Sequence, residues 1–183
     1  GNAAINTERG SYSVFYNPAN ISAKNTGKHI QLANLQIDMN EGLVSQAGSL
    51  GAFNFHSLSA LYDTLKTATN TFVSGRYSIY PNITIRNLSV GMLYEVQQGA
   101  EVRSVDNALL VKARNRFAPT AALSFRLFSG IFRIGAAVHL LTVGNANSVI
   151  TPPISGSALD FKSEIQAGAG LSKTAGITFT LPF

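Results

Sequence analysis

Residues 109–127 read LLVKARNRFAPTAALSFRL, and this stretch decides the fold. Every second residue from Leu109 is uncharged and mostly apolar, whereas the intervening positions hold all four cations of the stretch. A period of two is typical of an extended strand whose faces meet different environments. At about 3.3 Å a residue the strand extends roughly 60 Å, although only about 9 to 11 tilted residues are needed to cross a bilayer. We therefore expect the wall of a membrane barrel that extends past the lipid.

The composition supports this interpretation. Charged residues make up 13% of the 183 positions and hydrophobic residues 45%, whereas soluble domains are about 25% charged. No apolar run approaches the roughly 18 residues that a spanning helix needs. The composition excludes a helical membrane protein and leaves two classes, a weakly charged soluble β-sandwich binding module or an all-β, antiparallel transmembrane β-barrel.

The same alternation predicts six more strands and a regular order of connections. The strands are residues 29–39, 77–88, 90–96, 132–140, 161–169 and 175–183. Connections after the first, third and fifth strands are long, whereas the others have two or three residues, the last being Ser172-Lys173-Thr174. Outer-membrane barrels alternate short periplasmic turns with long extracellular loops in this way. Because closed bacterial barrels have even strand numbers, we expect about seven strands of a larger barrel, formed by residues 29–183.

Two other segments complete the predicted organisation. Residues 1–28 form an amino-terminal segment, in which the aromatic cluster around Phe15 is expected to be extended because Pro18 disfavours helix at the preceding residue. Residues 57–68 place Leu58, Leu61 and Leu65 at helical spacing. This predicts one short amphipathic helix packed over a loop or the barrel mouth.

Two stretches of the chain resemble a known family. RGSYSVFYNPA at residues 9–19 and YPNITIRNLSVGML at residues 80–93 are similar to the FadL-like superfamily of outer-membrane proteins, the long-chain fatty acid transporter group. The resemblance implies a barrel of about fourteen strands, of which this chain would be the amino-terminal half. It also implies a hatch segment at the barrel lumen, formed by Phe15, Tyr16, Asn17, Pro18 and Ala19.

One set of side chains is the strongest candidate for chemistry. The basic residues expected on the inward face are Arg86, Lys112, Arg114, Arg126, Arg133 and His139. A ring of cations in a pore favours anions or carboxylate head groups. The alternative is that these cations are solvated, or paired with carboxylates of the hatch segment such as Glu8.

Other functions lack a pattern in the sequence. The three histidines are far apart, which argues against a metal site, and no nucleophile elbow or dinucleotide fingerprint predicts an enzyme or a cofactor. The scattered cations do not predict nucleic-acid binding.

The sequence therefore predicts a barrel in the bacterial outer membrane, surrounded by outer-membrane lipid. No signal peptide is visible in the chain, which begins at Gly1. We expect the barrel to pass small hydrophobic or amphipathic ligands across the membrane. The alternative is a non-transporting barrel that anchors or scaffolds protein partners of an envelope or secretion assembly.

Overall fold

The computed structural model describes residues 12–24, 27–45, 58–154 and 166–180. These residues are mostly antiparallel β-sheet with few helices, so the expected all-β class is confirmed. The sheet contains eight strands, β1 (Lys28–Gln31), β2 (Leu35–Met39), β3 (Val73–Ile79), β4 (Asn82–Ile85), β5 (Leu88–Val102), β6 (Leu109–Leu127), β7 (Phe132–Ile150) and β8 (Gln166–Phe179).

The eight strands make six passes along the sheet. β1 and β2 lie end to end and pair with β4 and β3, which both pair with β5. The break between β3 and β4 falls at Tyr80 and Pro81, as expected for proline, which cannot donate a ladder hydrogen bond. From β5 onward each strand pairs with the next in the chain.

The prediction of about seven strands was wrong at the last turn. β8 runs without a break through Ser172, Lys173 and Thr174 and pairs with β7 along its whole length, from Asn145 opposite Gln166 to Phe132 opposite Phe179. The two short strands predicted there are therefore one long strand. The small and polar residues suggested a turn, but the 14-residue ladder with β7 keeps the backbone extended.

The connections still separate into short and long ones. Two residues join β4 to β5 and four join β6 to β7, whereas the long connections follow β2, β5 and β7. With six passes, β8 ends beside the short connections.

The two sheet faces differ in polarity, as the alternation in β6 predicted. The odd-numbered residues of β6 share a face with the even-numbered residues of β5 and β7. This face, called the apolar face, exposes large side chains such as Leu123, Phe125 and Leu140. The opposite face, called the polar face, carries Arg116, Thr120 and the other even-numbered residues of β6.

A helix covers the apolar face near the long connections. Helix α3 (Leu58–Leu65) packs Leu58, Leu61 and Leu65 against Leu109 and Val111 of β6. The predicted helix is confirmed within the described residues, and a shorter helix, α2 (Glu41–Ser45), precedes it in the chain. No helix in the described ranges is both long enough and apolar enough to cross a membrane.

The amino-terminal segment is helical rather than extended. A single turn, α1 (Ser13–Tyr16), is followed by a 3-10 helix, Pro18–Lys24. Asn17 between them is extended, with φ −147° and ψ 91°, which agrees with the restriction that Pro18 imposes on the residue before it. The expectation of an extended cluster failed because that restriction reaches only one residue back, and Ser13 accepts a helical hydrogen bond from the Asn17 N–H.

Candidate functional site

The candidate site is the polar face where the amino-terminal segment lies on β6, β7 and β8. Two glycines allow this close approach. A Cβ at Gly135 would lie 2.4 Å from the backbone N of Ala19, and a Cβ at Gly176 would lie 2.0 Å from the Asn17 side-chain oxygen. Only hydrogen at these positions leaves enough room for the segment.

Hydrogen bonds fix the segment to the sheet. Asn17 donates through Nδ2 to Thr178 Oγ1 at 3.1 Å, and Thr178 donates through the same hydroxyl to Asn20 Oδ1 at 2.9 Å. Ser124 Oγ lies 2.9 Å from the Ala19 carbonyl and 2.7 Å from Ser22 Oγ. Ser22 and Ser124 are both buried, so these bonds are shielded from water and hold the segment in one position.

Aromatic contacts extend the docking toward the middle of the sheet. The Phe15 ring stacks on His139 with a centroid distance of 4.9 Å, and meets Tyr80 edge-on at 5.1 Å. His139 is 5% exposed, and its two ring nitrogens lie 3.1 Å from Thr120 Oγ1 and 3.3 Å from Thr174 Oγ1. The sequence placed His139 among the basic residues, but the structure gives it hydroxyl partners beneath an aromatic ring.

An ion-pair network follows beside the segment. Arg76 Nη2 lies 2.7 Å from Asp38 Oδ2, and Arg76 Nη1 lies 3.7 Å from Glu95 Oε2. Arg116 Nη1 lies 3.4 Å from the other Glu95 oxygen, Oε1. Two carboxylates therefore balance two guanidinium groups across β2, β3, β5 and β6. A cavity of about 400 Å³ separates this network from Tyr12, Phe15 and Tyr16 of the segment.

The predicted basic residues do not form one cluster. Arg126 and Arg133 are directly opposite each other at the short-connection end of the polar face, and Arg133 donates to Thr180 Oγ1 at 2.8 Å. Lys112 and Arg114 line a second cavity, of about 350 Å³, nearer the long connections. Arg86 lies in the tight turn between β4 and β5 with φ 48°, so it is outside the sheet face where it was expected.

The sequence did not identify the ion-pair network. Arg116 and Asp38 each followed the polar alternation, but their partners depend on strand register, which a single sequence does not supply. Glu8, suggested as a partner for the cations, lies outside the described residues. The carboxylates that pair with arginine on this face belong to the sheet instead.

In the described part of the chain no three His, Asp or Glu side chains lie close enough together to hold a metal ion. No protein-family model, curated protein or solved structure matches the chain.

Proposed function

We propose that the protein is an outer-membrane β-barrel of FadL-like type that passes small hydrophobic or amphipathic molecules across the membrane. The amino-terminal segment acts as its hatch. The proposal rests on one observation, the exposed apolar face opposite a polar face that carries a docked segment. A soluble sheet buries its apolar face, because a large, contiguous and exposed apolar patch binds lipid or protein.

The apolar face has the height of a membrane band. On β6 it extends from Phe117 to Leu127, and both of these side chains are more than a third exposed. Ten steps of about 3.3 Å, tilted by about 40°, give a height of about 25 Å, which is the apolar band of outer-membrane barrels. The neighbouring strands continue parts of this band, with Leu88 to Tyr94 of β5 opposite Leu123 to Phe117, and Phe132 to Val138 of β7 opposite Leu127 to Ala121.

Aromatic side chains lie at both edges of this band. Tyr94 is directly opposite Phe117 in the ladder, and its ring lies 6.4 Å from the ring of Tyr77. At the other edge Phe132 is opposite Phe179, near the exposed ring of Phe128 in the adjoining turn. Aromatic girdles at the two lipid–water interfaces are typical of membrane barrels. The band and its edges therefore support a lipid-facing role.

The polar face would then line the lumen, and the hatch would close it on the periplasmic side. Beside the hatch a cavity of about 170 Å³ is lined by Phe15, Leu93 and Leu141 and reaches His139 and Arg116. The adjoining 400 Å³ cavity is lined by Arg76, Glu95 and Arg116 of the ion-pair network. An apolar wall next to paired charges suits amphipathic molecules. Displacement of the hatch would open a path along this face.

A disulfide lock tests the gating role. The chain contains no cysteine, and Ser22 Oγ lies 2.7 Å from Ser124 Oγ. In Ser22→Cys/Ser124→Cys, oxidation joins hatch to sheet. We expect oxidised cells to exclude N-phenyl-1-naphthylamine, a small hydrophobic fluorophore, and reduced cells to take it up. Each single-cysteine variant is the matched control, because it cannot form the intramolecular bridge.

Equal uptake by the oxidised and reduced double variant, with the bridge verified by mass, would contradict hatch gating. Absence of uptake in every form, together with a protein partner that co-purifies in detergent, would instead support the scaffolding alternative. Purification without detergent and without a heat-dependent mobility shift would contradict the membrane location itself.

A further inference from the structure

We propose that the 350 Å³ cavity at the long-connection end of the polar face binds a hydroxylated organic anion, such as a sugar acid. We call this cavity the amide cavity. It lies beyond the apolar band, because Arg114 is three residues past Phe117 on β6 toward the long connections. The inference concerns a site apart from the hatch, and it does not depend on transport.

The lining of the amide cavity combines cations with side-chain amides. In one row of the sheet Arg114 lies between Gln97 and Asn145, and Asn145 is opposite Gln166. In the next row Lys112 is opposite Asn147. All six of these side chains line the same cavity. Register alone therefore brings four carboxamides and two cations together from four strands.

The two cations carry unbalanced charge. Arg76 and Arg116, on the same face, lie within 4 Å of the Glu95 carboxylate. Neither Lys112 nor Arg114 has a carboxylate at that distance within the part of the chain that the structure describes. An anionic group entering the cavity would meet a planar guanidinium, which binds carboxylates in a bidentate manner, and an ammonium beside it.

An aromatic ring closes one side of the amide cavity. Lys112 Nζ lies 5.9 Å from the centroid of the Phe72 ring. The ring fits against the sheet because Gly99 has no side chain, since a Cβ there would lie 2.5 Å from Phe72 Cζ. A flat apolar ring beside hydrogen-bonding groups suits the C–H face of a sugar ring.

The amides decide the class of ligand. Each carboxamide offers both donors and acceptors, which match hydroxyl groups but add little for a hydrocarbon chain. Apart from Phe72, the lining side chains are polar or no larger than that of Ala113. These amides are exposed and therefore hydrated. A fatty acid would displace that water without replacing its hydrogen bonds, whereas a sugar acid would replace them and also pair with the cations.

Calorimetry with three probes tests this inference on the purified full chain in detergent. We expect D-glucuronate to bind, D-glucose to bind undetectably and acetate to bind about tenfold more weakly than glucuronate. Arg114→Gln should weaken glucuronate binding about tenfold. Lys66→Gln is the matched control. It removes a cation from the turn after α3, where Lys66 pairs with Asp63 at 2.6 Å, and should leave binding unchanged.

A second variant distinguishes loss of binding from loss of folding. Asn147→Asp places a carboxylate opposite Lys112, a cross-strand pair that should preserve the sheet while cancelling one of the two positive charges of the cavity. We expect it to weaken glucuronate binding about tenfold or more and to keep the wild-type thermal transition. Equal affinity for acetate and glucuronate would overturn the ligand class. Wild-type glucuronate affinity in both cavity variants would overturn the site.

Discussion

Two regions of the polar face differ in how their cations are balanced by carboxylates. Near the short connections the face is covered by the amino-terminal segment, and beside that segment Glu95 lies between Arg76 and Arg116. Near the long connections the face is open, and Lys112 and Arg114 lack a carboxylate partner among the described residues. Arg116 is partly covered, with its side chain 29% exposed, and it lies within 4 Å of a carboxylate, whereas Lys112 and Arg114 are exposed, so water can solvate their charge.

The largest expected loss of stability comes from adding a side chain at Gly135, where the amino-terminal segment packs against β7. Gly135→Val places a Cβ against the backbone of Pro18 and Ala19, and neither backbone can move without losing its hydrogen bonds. We expect the free energy of unfolding in detergent to fall by about 3 kcal/mol, and the segment to become sensitive to protease. Denaturation by urea and limited proteolysis measure the two effects.

Gly168→Val is the control for that experiment. Gly168 lies on the same face in β8, and nothing lies within 4 Å of the Cβ that it would gain. Valine suits a strand better than glycine, so stability should stay level or rise. A similar loss in both variants would show that the sheet, rather than the docked segment, responds to the substitution.

A smaller effect is expected from the ion-pair network. Glu95→Gln leaves the two arginines without their shared acceptor, and the Glu95 side chain is only 10% exposed. Because both arginines are partly solvated, we expect a loss of about 1–2 kcal/mol in the free energy of unfolding. Asp63→Asn removes an exposed carboxylate paired with Lys66 and should cost no more than about 0.5 kcal/mol. Equal losses for Glu95→Gln and Asp63→Asn would mean that the partly buried Glu95 pairs stabilise the protein no more than an exposed pair does.

The smallest loss of stability is expected from substituting Arg114, near the long connections. Arg114→Gln should change the free energy of unfolding by less than about 0.5 kcal/mol, because Arg114 forms no ion pair with the residues that the structure describes. Arg116→Gln, two positions away on the same face of β6, should cost more because it removes a partner of the buried Glu95. Parallel urea titrations of these two variants decide the point. A larger loss for Arg114→Gln would mean that this arginine has a partner outside the described residues.

The sequence was most informative where a single strand carries the information. The alternation in β6 correctly separated Arg116 and Thr120 from Leu123 and Phe125, because a period of two needs no knowledge of neighbours. The helix that carries Leu58, Leu61 and Leu65 was also predicted from local spacing. The same local rules misassigned residues 172–174, whose small polar side chains are typical of turns but are held extended by β7.

The site was harder to predict because it depends on contacts between distant parts of the chain. Glycine is needed at position 135 only because the Ala19 backbone packs against it. An isolated glycine in a strand sequence does not show which part of the chain will approach it. Likewise Glu95 is one polar residue among several until register places it between Arg76 and Arg116. The resemblance to the FadL-like superfamily singled out Asn17, Pro18 and Ala19. Only the structure identified the residues of β6, β7 and β8 that contact them.

The contact between Asn17 and Thr178 leads us to expect an order of assembly. These two residues are 161 positions apart, and contacts between distant parts of a chain carry a large entropic cost of loop closure. We expect β8 to pair with β7 before the Thr178 hydroxyl bonds to the segment, so that the sheet assembles with its polar face uncovered and the segment docks late.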